Sequence, residues 1–140
     1  MPKTQFYYLP DEYIDPDTKE KLTIYKPVIP IRLQGNRLVK IPVDCLVDSG
    51  SDTNLFPAGW GNQAGINFKK GKFKEIIGIG NVKVPAYRCN VTLWVGTRSI
   101  STFADFSFSH NIPILGRIDF FKFFPEVIFN ENKRYIEIDI

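Results

Sequence analysis

Asp48 is the residue of this chain whose surroundings best suit acid–base chemistry. Its carboxylate follows an apolar run, residues 45–47, and opens a stretch of seven small or polar residues. A charged group beside a buried strand is costly unless it is hydrogen-bonded. Ser49 and Ser51 carry hydroxyls that can bond the carboxylate, and Gly50 lets backbone amides approach it closely. A carboxylate held in this way can exchange a proton with water during hydrolysis, although the same spacing also fits an aspartate that only caps its own turn.

Other catalytic chemistries find little support in the residue inventory. The single histidine, His110, has no Glu or Cys cluster around it at metal-ligand spacing, so we expect no metal site. A Ser–His or Cys–His pair with His110 stays open, but no serine or cysteine is marked as an activated nucleophile, and a loop residue before a core strand is the simpler interpretation. The run Gly78-Ile79-Gly80 is too short for a dinucleotide fingerprint and lies between two strands. We therefore expect no cofactor.

Length and composition indicate a single folded domain. The chain has 140 residues, 44% of them apolar and 14% aromatic, which is ample material for a core. Its net charge of +3 comes without the clustered basic run of a nucleic-acid-binding surface, so we expect no nucleic-acid partner. Cys45 and Cys89 are too few for a disulfide framework, which is typical of a reduced, intracellular protein. Since no apolar stretch is long enough for a signal peptide or a membrane span, we expect a cytoplasmic protein with no membrane partner.

The apolar pattern predicts a mostly β protein that positions the loop after Asp48. Ten Gly and ten Pro are spread at intervals typical of short strands joined by turns. Residues 112–115 form a further buried strand, and short helices are predicted over residues 57–65 and 118–124. The five predicted hairpins pair residues 6–9 with 22–25, 28–33 with 38–47, 73–77 with 82–87, 89–95 with 100–108, and 126–129 with 134–140.

Three motifs give the chain a more specific resemblance. The block Val47-Asp48-Ser49-Gly50-Ser51-Asp52-Thr53 resembles the hydrophobic-Asp-Ser/Thr-Gly-Ala/Ser signature of retroviral-type, or retropepsin-like, aspartic proteases. Ile76-Ile77-Gly78-Ile79-Gly80-Asn81 resembles their flap tip, and Ile114-Leu115-Gly116-Arg117 resembles the segment that passes behind their active-site loop. The order and spacing of these motifs across roughly residues 28–138 make the joint match specific. In detail the chain is most similar to the single-domain members found in bacteria and other cells.

The resemblance implies a fold and a division of the chain. The fold would be a single-domain, closed β-barrel, the acid protease fold, with a flap hairpin and one short C-terminal helix. Residues 27–140 would form the protease domain and residues 1–26 an N-terminal hairpin extension. The sequence departs from viral members in this extension, in Asn81 where they commonly have glycine, and in a C-terminal hairpin where they end in a single strand. Because the termini ordinarily build the family's dimer interface, we expect the N-terminal extension and the C-terminal hairpin to affect the details of that interface.

The resemblance also implies an aspartic endopeptidase that acts on peptide or protein substrates as a homodimer. Hydrolysis by carboxylates needs two of them, one to take a proton from water and one to polarise the carbonyl. The chain has a single Asp-Ser-Gly, so two copies related by a twofold axis would each contribute Asp48 and hold one water between them. The pair would share one proton, because like charges so close disfavour double ionisation.

The residues after Asp48 take supporting roles in this resemblance. Ser49 would hydrogen-bond across the twofold axis and lock the two loops together. Gly50 would accept a hydrogen bond from the substrate backbone through its carbonyl. The hydroxyl of Ser51 would donate to ionised Asp48, favour that form, and give a more acidic optimum than alanine would.

The remaining implied roles concern the cleft and its cover. Asp52 would form an ion pair with Arg117 beneath the cleft and would also hold substrate backbone, whereas both would otherwise be ordinary surface charges. The flap would close over an extended peptide and exclude water. Its substrate-binding residues would be Ile77, Gly78, Ile79 and Gly80.

Two rival functions stay open. A catalytically weak retropepsin-like dimerisation or peptide-binding module has the same fold, because fold does not fix function. The intact Asp48-Ser49-Gly50 argues against this rival. The weaker rival is a structural β-domain in which all three motifs are coincidental, and such a domain would be monomeric at micromolar concentration.

Overall fold

A computed structural model describes residues 3–140, so that Met1 and Pro2 of the predicted extension lie outside the described residues. No helix within the described part of the chain has the length and apolar character needed to cross a membrane. The only α-helix described is α1, Ala58–Gln63. The strands are β1 Lys3–Tyr7, β2 Leu9–Ile14, β3 Lys21–Lys26, β4 Val28–Gln34, β5 Val43–Val47, β6 Leu55–Pro57, β7 Lys72–Ile77, β8 Lys83–Val95, β9 Arg98–Ser107, β10 Ile114–Leu115, β11 Val127–Asn130 and β12 Tyr135–Asp139.

Six strands close into a barrel, in the order β4-β5-β10-β6-β9-β8, and pairing between β4 and β8 completes the circle. Most neighbours are antiparallel, but β5 pairs with β10 in parallel, and so does β6 with β9. The strand β7 extends this sheet beyond β8 and forms a hairpin with it. The predicted mostly β, closed-barrel architecture is confirmed.

Alternating apolar residues build the barrel core. Side chains in a strand point alternately to opposite faces, so every second residue of β4 faces inward. Ile29, Ile31 and Leu33 are completely buried, whereas the residues between them are half-buried. They pack in one cluster with Leu93 of β8 and Phe106 of β9.

Strand β8 is continuous over 13 residues, whereas the sequence predicted two separate strands over residues 82–87 and 89–95. Arg88 interrupts the apolar pattern there, which is why the sequence indicated a break. In the structure the strand continues, because Arg88 pairs its charge with Asp105 and Asp119. The hairpin of β7 and β8, here called the flap hairpin, and the hairpin of β8 and β9 therefore share the continuous strand β8.

The predicted N-terminal hairpin has different strands. Residues 6–9 were expected to pair with 22–25, but Phe6 belongs to β1 and pairs with Ile136 of β12, while β2 pairs with β3. Tyr8 is buried and its hydroxyl donates to Glu131 Oε1 at 3.0 Å. Burial, with this bond and the nearby charge, raises the pKa of Tyr8 to about 12. Residues 3–8 thus join the sheet β1-β12-β11, and the division of the chain at residue 26 stays a prediction.

The predicted C-terminal helix over residues 118–124 is reduced to a single 3₁₀ turn, Phe121–Phe123. The amides of Phe120 and Phe121 both donate to the carbonyl of Gly116, so a regular α-helical ladder never starts. Pro125 follows at once and has no N–H to continue the turn. The other predicted helix, over residues 57–65, corresponds to α1.

Candidate active site

Asp48 lies directly after β5, at the point where two parallel strands end together. Leu46 and Val47 pair with Ile114 and Leu115 of β10. The amide of Asp48 then donates to the carbonyl of Leu115 at 3.0 Å. Val47 is buried while Asp48 is half-buried, so the carboxylate marks the boundary between the core and solvent.

Residues 48–54, the Asp48 loop, fold back on the carboxylate. The amide of Gly50 donates to Asp48 Oδ1 at 2.9 Å, and the amide of Ser51 donates to the carbonyl of Asp48 at 3.2 Å. A hydrogen bond to an ionised acceptor is stronger than one between neutral groups. Oδ2 accepts no hydrogen bond from any of residues 3–140. One oxygen is therefore fixed by the loop, and the other is left for a further partner.

The two serines of the loop behave differently from one another. Ser49 is exposed and its hydroxyl makes no hydrogen bond within the described residues. Ser51 is half-buried, and its hydroxyl donates to the carbonyl of Thr53 at 2.8 Å. The prediction that this hydroxyl donates to Asp48 is wrong, because the loop turns it toward its own backbone. Ser51 supports the loop rather than the carboxylate.

Asp52 and Arg117 lie on adjoining segments, but their side chains are exposed and form no ion pair in the described chain, contrary to the prediction from the sequence. Their segments are joined through the backbone instead. The amide of Arg117 donates to the carbonyl of Ser51, and that of Ile118 to the carbonyl of Asp52, each at 2.8 Å. Both side chains line one open groove of about 560 Å³, which leaves their charges accessible to a partner or substrate.

Residues 78–81, the flap tip, form a tight turn between β7 and β8. The amide of Gly78 donates to the carbonyl of Val82 at 2.8 Å, and the turn places Gly80 and Asn81 at positive φ of 76° and 64°. Asparagine is one of the few side chains that tolerate this conformation, so Asn81 fits a position where viral retropepsins commonly have glycine. Ile79 is fully exposed, and Ile77 is 64% exposed. The tip presents apolar side chains that nothing in the described chain covers.

The remaining candidate groups are His110, Cys45 and Cys89, and each lies in surroundings typical of a structural residue. His110 lies in the loop before β10, as predicted, and no group of three His, Cys, Asp or Glu side chains within residues 3–140 is arranged to hold a metal ion. Cys45 and Cys89 are free and buried. Burial raises the pKa of both thiols, which makes each a poor nucleophile.

Solved structures share this architecture. A retropepsin-like aspartic protease from Rickettsia conorii aligns with 98% of this chain and 91% of its own, with a TM-score of 0.61 and 12% identity. The retroviral protease-like domain of Ddi1 from Leishmania major aligns with 81% of this chain and 88% of its own, with a TM-score of 0.60 and 14% identity. The EIAV protease in complex with the inhibitor HBY-793 aligns with 66% of this chain and 82% of its own, with a TM-score of 0.51 and 23% identity.

This chain has the retropepsin-like fold. At identities of 12–23% the backbone is shared while most side chains differ. No family model matches the sequence, and no curated protein matches it. What the retropepsin-like fold does here therefore depends on the residues of this chain.

One set of residues in this retropepsin-like fold was not singled out from the sequence. Asn54, Asp105 and Asp119 are polar, almost completely buried, and bonded to one another behind the Asp48 loop. Arg88 reaches them from β8. The available signal was two isolated carboxylates, Asp105 and Asp119, each in an apolar run, which demand a buried partner.

Proposed function

We propose that this protein is an aspartic endopeptidase, with a water activated by two Asp48 residues, one from each subunit of a homodimer. The observation that carries the proposal is the Asp48 carboxylate itself: half-buried, held through Oδ1 by the amide of Gly50, and with Oδ2 unpartnered within residues 3–140. A general acid or base needs this combination of fixed position and an accessible oxygen. We assign the activity to residues 27–140, with residues 1–26 as an extension.

The second carboxylate has to come from another copy. Symmetric homodimers place the same residue on both sides of a twofold axis, so one Asp48 per chain makes a pair. Ser49 supports this assignment, because its exposed hydroxyl is free within the described residues to bond across the axis. Since β1 pairs with β12 of its own chain, we expect each copy to bring a complete three-stranded terminal sheet to the interface.

The proposed reaction is direct hydrolysis. One Asp48 carboxylate takes a proton from the water while the other, protonated, donates a hydrogen bond to the scissile carbonyl oxygen. Water adds to the carbonyl carbon and gives a tetrahedral gem-diol. A proton then passes to the amide nitrogen, the C–N bond breaks, and the products are a carboxylic acid and an amine. This sequence uses no metal and no covalent intermediate.

Substrate would lie between the Asp48 loop and the flap. An extended peptide can add to exposed backbone as a strand, with pockets for alternate side chains. In this proposal Gly50 accepts a backbone hydrogen bond and Asp52 holds the peptide further along. The flap residues Ile77 and Ile79, together with Gly78 and Gly80, close over it, and their exposed apolar side chains favour large hydrophobic residues near the cleaved bond.

The deciding experiment is cleavage of a diverse peptide pool from about pH 3.5 to 7, a range that brackets titration of a carboxylate pair. Wild type is compared with Asp48→Asn, which keeps the shape of the side chain and removes its acid–base chemistry. Asp44→Asn is the matched control, because Asp44 is an exposed aspartate on β5, the strand that leads into Asp48. Sedimentation on all three proteins reports the dimer.

We expect wild type and Asp44→Asn to cleave the same sites and Asp48→Asn to cleave none, with all three dimeric. Cleavage by Asp48→Asn at the wild-type rate would contradict the proposal. A dimer in which no version cleaves any peptide would favour the peptide-binding module instead. A monomer at micromolar concentration would remove the shared site altogether.

A further inference from the structure

A buried polar cluster, Asn54, Asp105 and Asp119, lies between the Asp48 loop and the flap strands. Asn54 and Asp105 are completely buried, and Asp119 is 2% exposed. Buried carboxylates are strongly destabilising unless they are paired and hydrogen-bonded. The cluster is paired from one side only: both cations that reach it, Arg88 and Lys74, come from the flap hairpin.

Arg88 of β8 makes the tightest of these contacts. Its guanidinium donates to both oxygens of Asp119, at 2.6 and 2.9 Å, and to Asp105 Oδ1 at 3.2 Å. The hydrogen bond to Asp119 raises the pKa of Arg88 above its ordinary value. A planar guanidinium can bind a carboxylate through two parallel bonds, which fixes the relative orientation of the two groups. An ammonium in the same place would be a point charge without that geometry.

The outer strand of the flap is tied to the same cluster. Lys74 of β7 lies with its Nζ 3.1 Å from Asp105 Oδ2, an ion-pair contact outside hydrogen-bond geometry. Lys74 and Arg88 stand on the two paired strands of the flap hairpin. Both strands are therefore held by the carboxylates of one cluster.

Asn54, the last residue of the Asp48 loop, connects the cluster to the catalytic side. Its amide donates to Asp119 Oδ2 at 3.1 Å, and its carbonyl accepts from the amide of Asp105 at 2.7 Å. Its side-chain Nδ2 donates to the carbonyls of Phe103 and Asp119 at 3.0 and 3.3 Å. Its Oδ1 accepts from the amide of Gly116 at 3.1 Å. Every polar group of Asn54 is thus engaged.

The hydrogen bond between Asn54 and Gly116 links the cluster to the residue next to Leu115, which holds the backbone of Asp48. Leu115, the neighbour of Gly116, accepts the hydrogen bond from the amide of Asp48. The path from Arg88 to Asp48 then runs through Asp119, Asn54 and the Leu115–Gly116 backbone, with a direct bond at each step.

We propose that Arg88 is a positioning residue that holds the flap hairpin and the Asp48 loop in fixed register through Asp119 and Asn54. It does not touch substrate. Its effect on hydrolysis rests on the proposed function, but its effect on the loop does not. If the cluster served stability alone, substitution of Arg88 would lower the free energy of unfolding and leave the folded site unchanged.

The test is Arg88→Lys, which keeps the charge and removes the two-pronged contact, compared with Arg98→Lys. The guanidinium of Arg88 lies over the ring of Phe103 and donates to two residues. Arg98 is a matched control because its guanidinium lies over the ring of Phe124 and also donates to two residues, but it stands on β9 away from the loop. Two readouts are taken where both variants are fully folded: hydrogen exchange at the amides of Asn54 and Gly116, and kcat and KM on one peptide from the pool.

For Arg88→Lys we expect exchange at Asn54 and Gly116 to be faster than the change in the global free energy of unfolding accounts for. We also expect a kcat lowered about tenfold, because small displacements of a catalytic group are costly. Arg98→Lys should stay within about twofold of wild type in both readouts. Equal exchange and equal kcat in the two variants would overturn the proposal. If no version of the protein cleaves peptides, the proposed function fails, and the exchange readout alone still decides whether Arg88 holds the loop.

If Arg88→Lys does not fold, Asp119→Asn takes its place, because an amide has one acceptor oxygen and cannot keep the contacts that both carboxylate oxygens make with Arg88 and Asn54. We then expect exchange at Asn54 and Gly116 to be faster than the change in the global free energy of unfolding accounts for. Unchanged exchange at both amides would overturn the proposal.

Discussion

The Asp48 loop and the flap tip differ in how the rest of the molecule holds them. The loop is bonded at both ends and in its middle: Asp48 to Leu115, and Ser51 and Asp52 to the segment after Gly116. Within the described residues the flap tip makes only local backbone hydrogen bonds, Gly78 to Val82 and Asn81 to Gly78, and it exposes Ile79 completely. The two regions that would enclose a substrate are thus a fixed floor and a loosely held cover.

This difference matches the separate demands of the proposed hydrolysis. A carboxylate that exchanges protons must stay within a fraction of an ångström of its working position. A cover must open for substrate and product, and segments that open are drawn from the least stable parts of a fold. The flap is restrained away from its tip, where Lys74 and Arg88 contact the buried cluster. The flap can move at its tip while its stem stays aligned.

The largest expected contrast is in hydrogen exchange of the wild type. The buried amides of Asn54 and Gly116 are bonded at 3.1 Å, whereas those of Ile79 and Gly80 donate to nothing within the described residues. We expect the opening free energy of the loop amides to exceed that of the tip amides by roughly 5 kcal/mol. Similar exchange in both regions would remove the contrast.

Gly116→Ala should destabilise the loop side by about 3 kcal/mol. A Cβ at this position would lie 2.6 and 2.7 Å from the carbonyl carbon and nitrogen of Thr53, which are backbone atoms that cannot turn aside. Gly78→Ala at the flap is the matched control, because its φ is ordinary and its nearest neighbour, the carbonyl of Val82, would be 3.7 Å away. Urea unfolding of both variants measures the difference. Equal midpoints would show that the loop is no more tightly packed than the flap.

Ile79→Ala should affect substrate rather than stability. The side chain is fully exposed in the free chain, so its removal creates no cavity. If the tip closes over the peptide, losing this apolar contact should raise KM about fivefold with the unfolding midpoint unchanged. Ile41→Ala, another exposed isoleucine at 77% exposure but outside the flap, should leave KM unchanged. The same KM for both variants would argue against closure over substrate.

Ser51→Ala should have the smallest effect, a loss of about 1 kcal/mol of stability. Its hydroxyl bonds the carbonyl of Thr53 and not Asp48, so we expect the pH profile of hydrolysis to keep its shape and position. Denaturant unfolding and a pH–rate profile measure the two quantities. A profile moved toward neutral pH would restore the earlier expectation that this hydroxyl stabilises the ionised carboxylate.

The sequence predicted the parts of this protein that depend on neighbouring residues. Alternation in residues 28–33 and 100–108 indicated the barrel strands, since inward and outward faces alternate along a strand. The small residues after Val47 indicated a tight loop around Asp48, and the bond from Gly50 to its carboxylate spans two positions. The aromatic content of residues 118–124 predicted a helix that is longer than the observed 3₁₀ turn. That content gives no information about where Pro125 ends the turn.

Tertiary structure decided the contacts that join distant segments. Arg88 broke the predicted strand, yet it is the residue that pairs Asp105 and Asp119, which lie 17 and 31 positions away. The pairing of β1 with β12 and the bonds of Asn54 to Asp119 and Gly116 likewise depend on closure of the barrel. A local pattern fixes which face of a strand is apolar, but only the closed sheet determines which polar groups meet behind it. For that reason Asp48 could be found from the sequence, and the network that holds it could not.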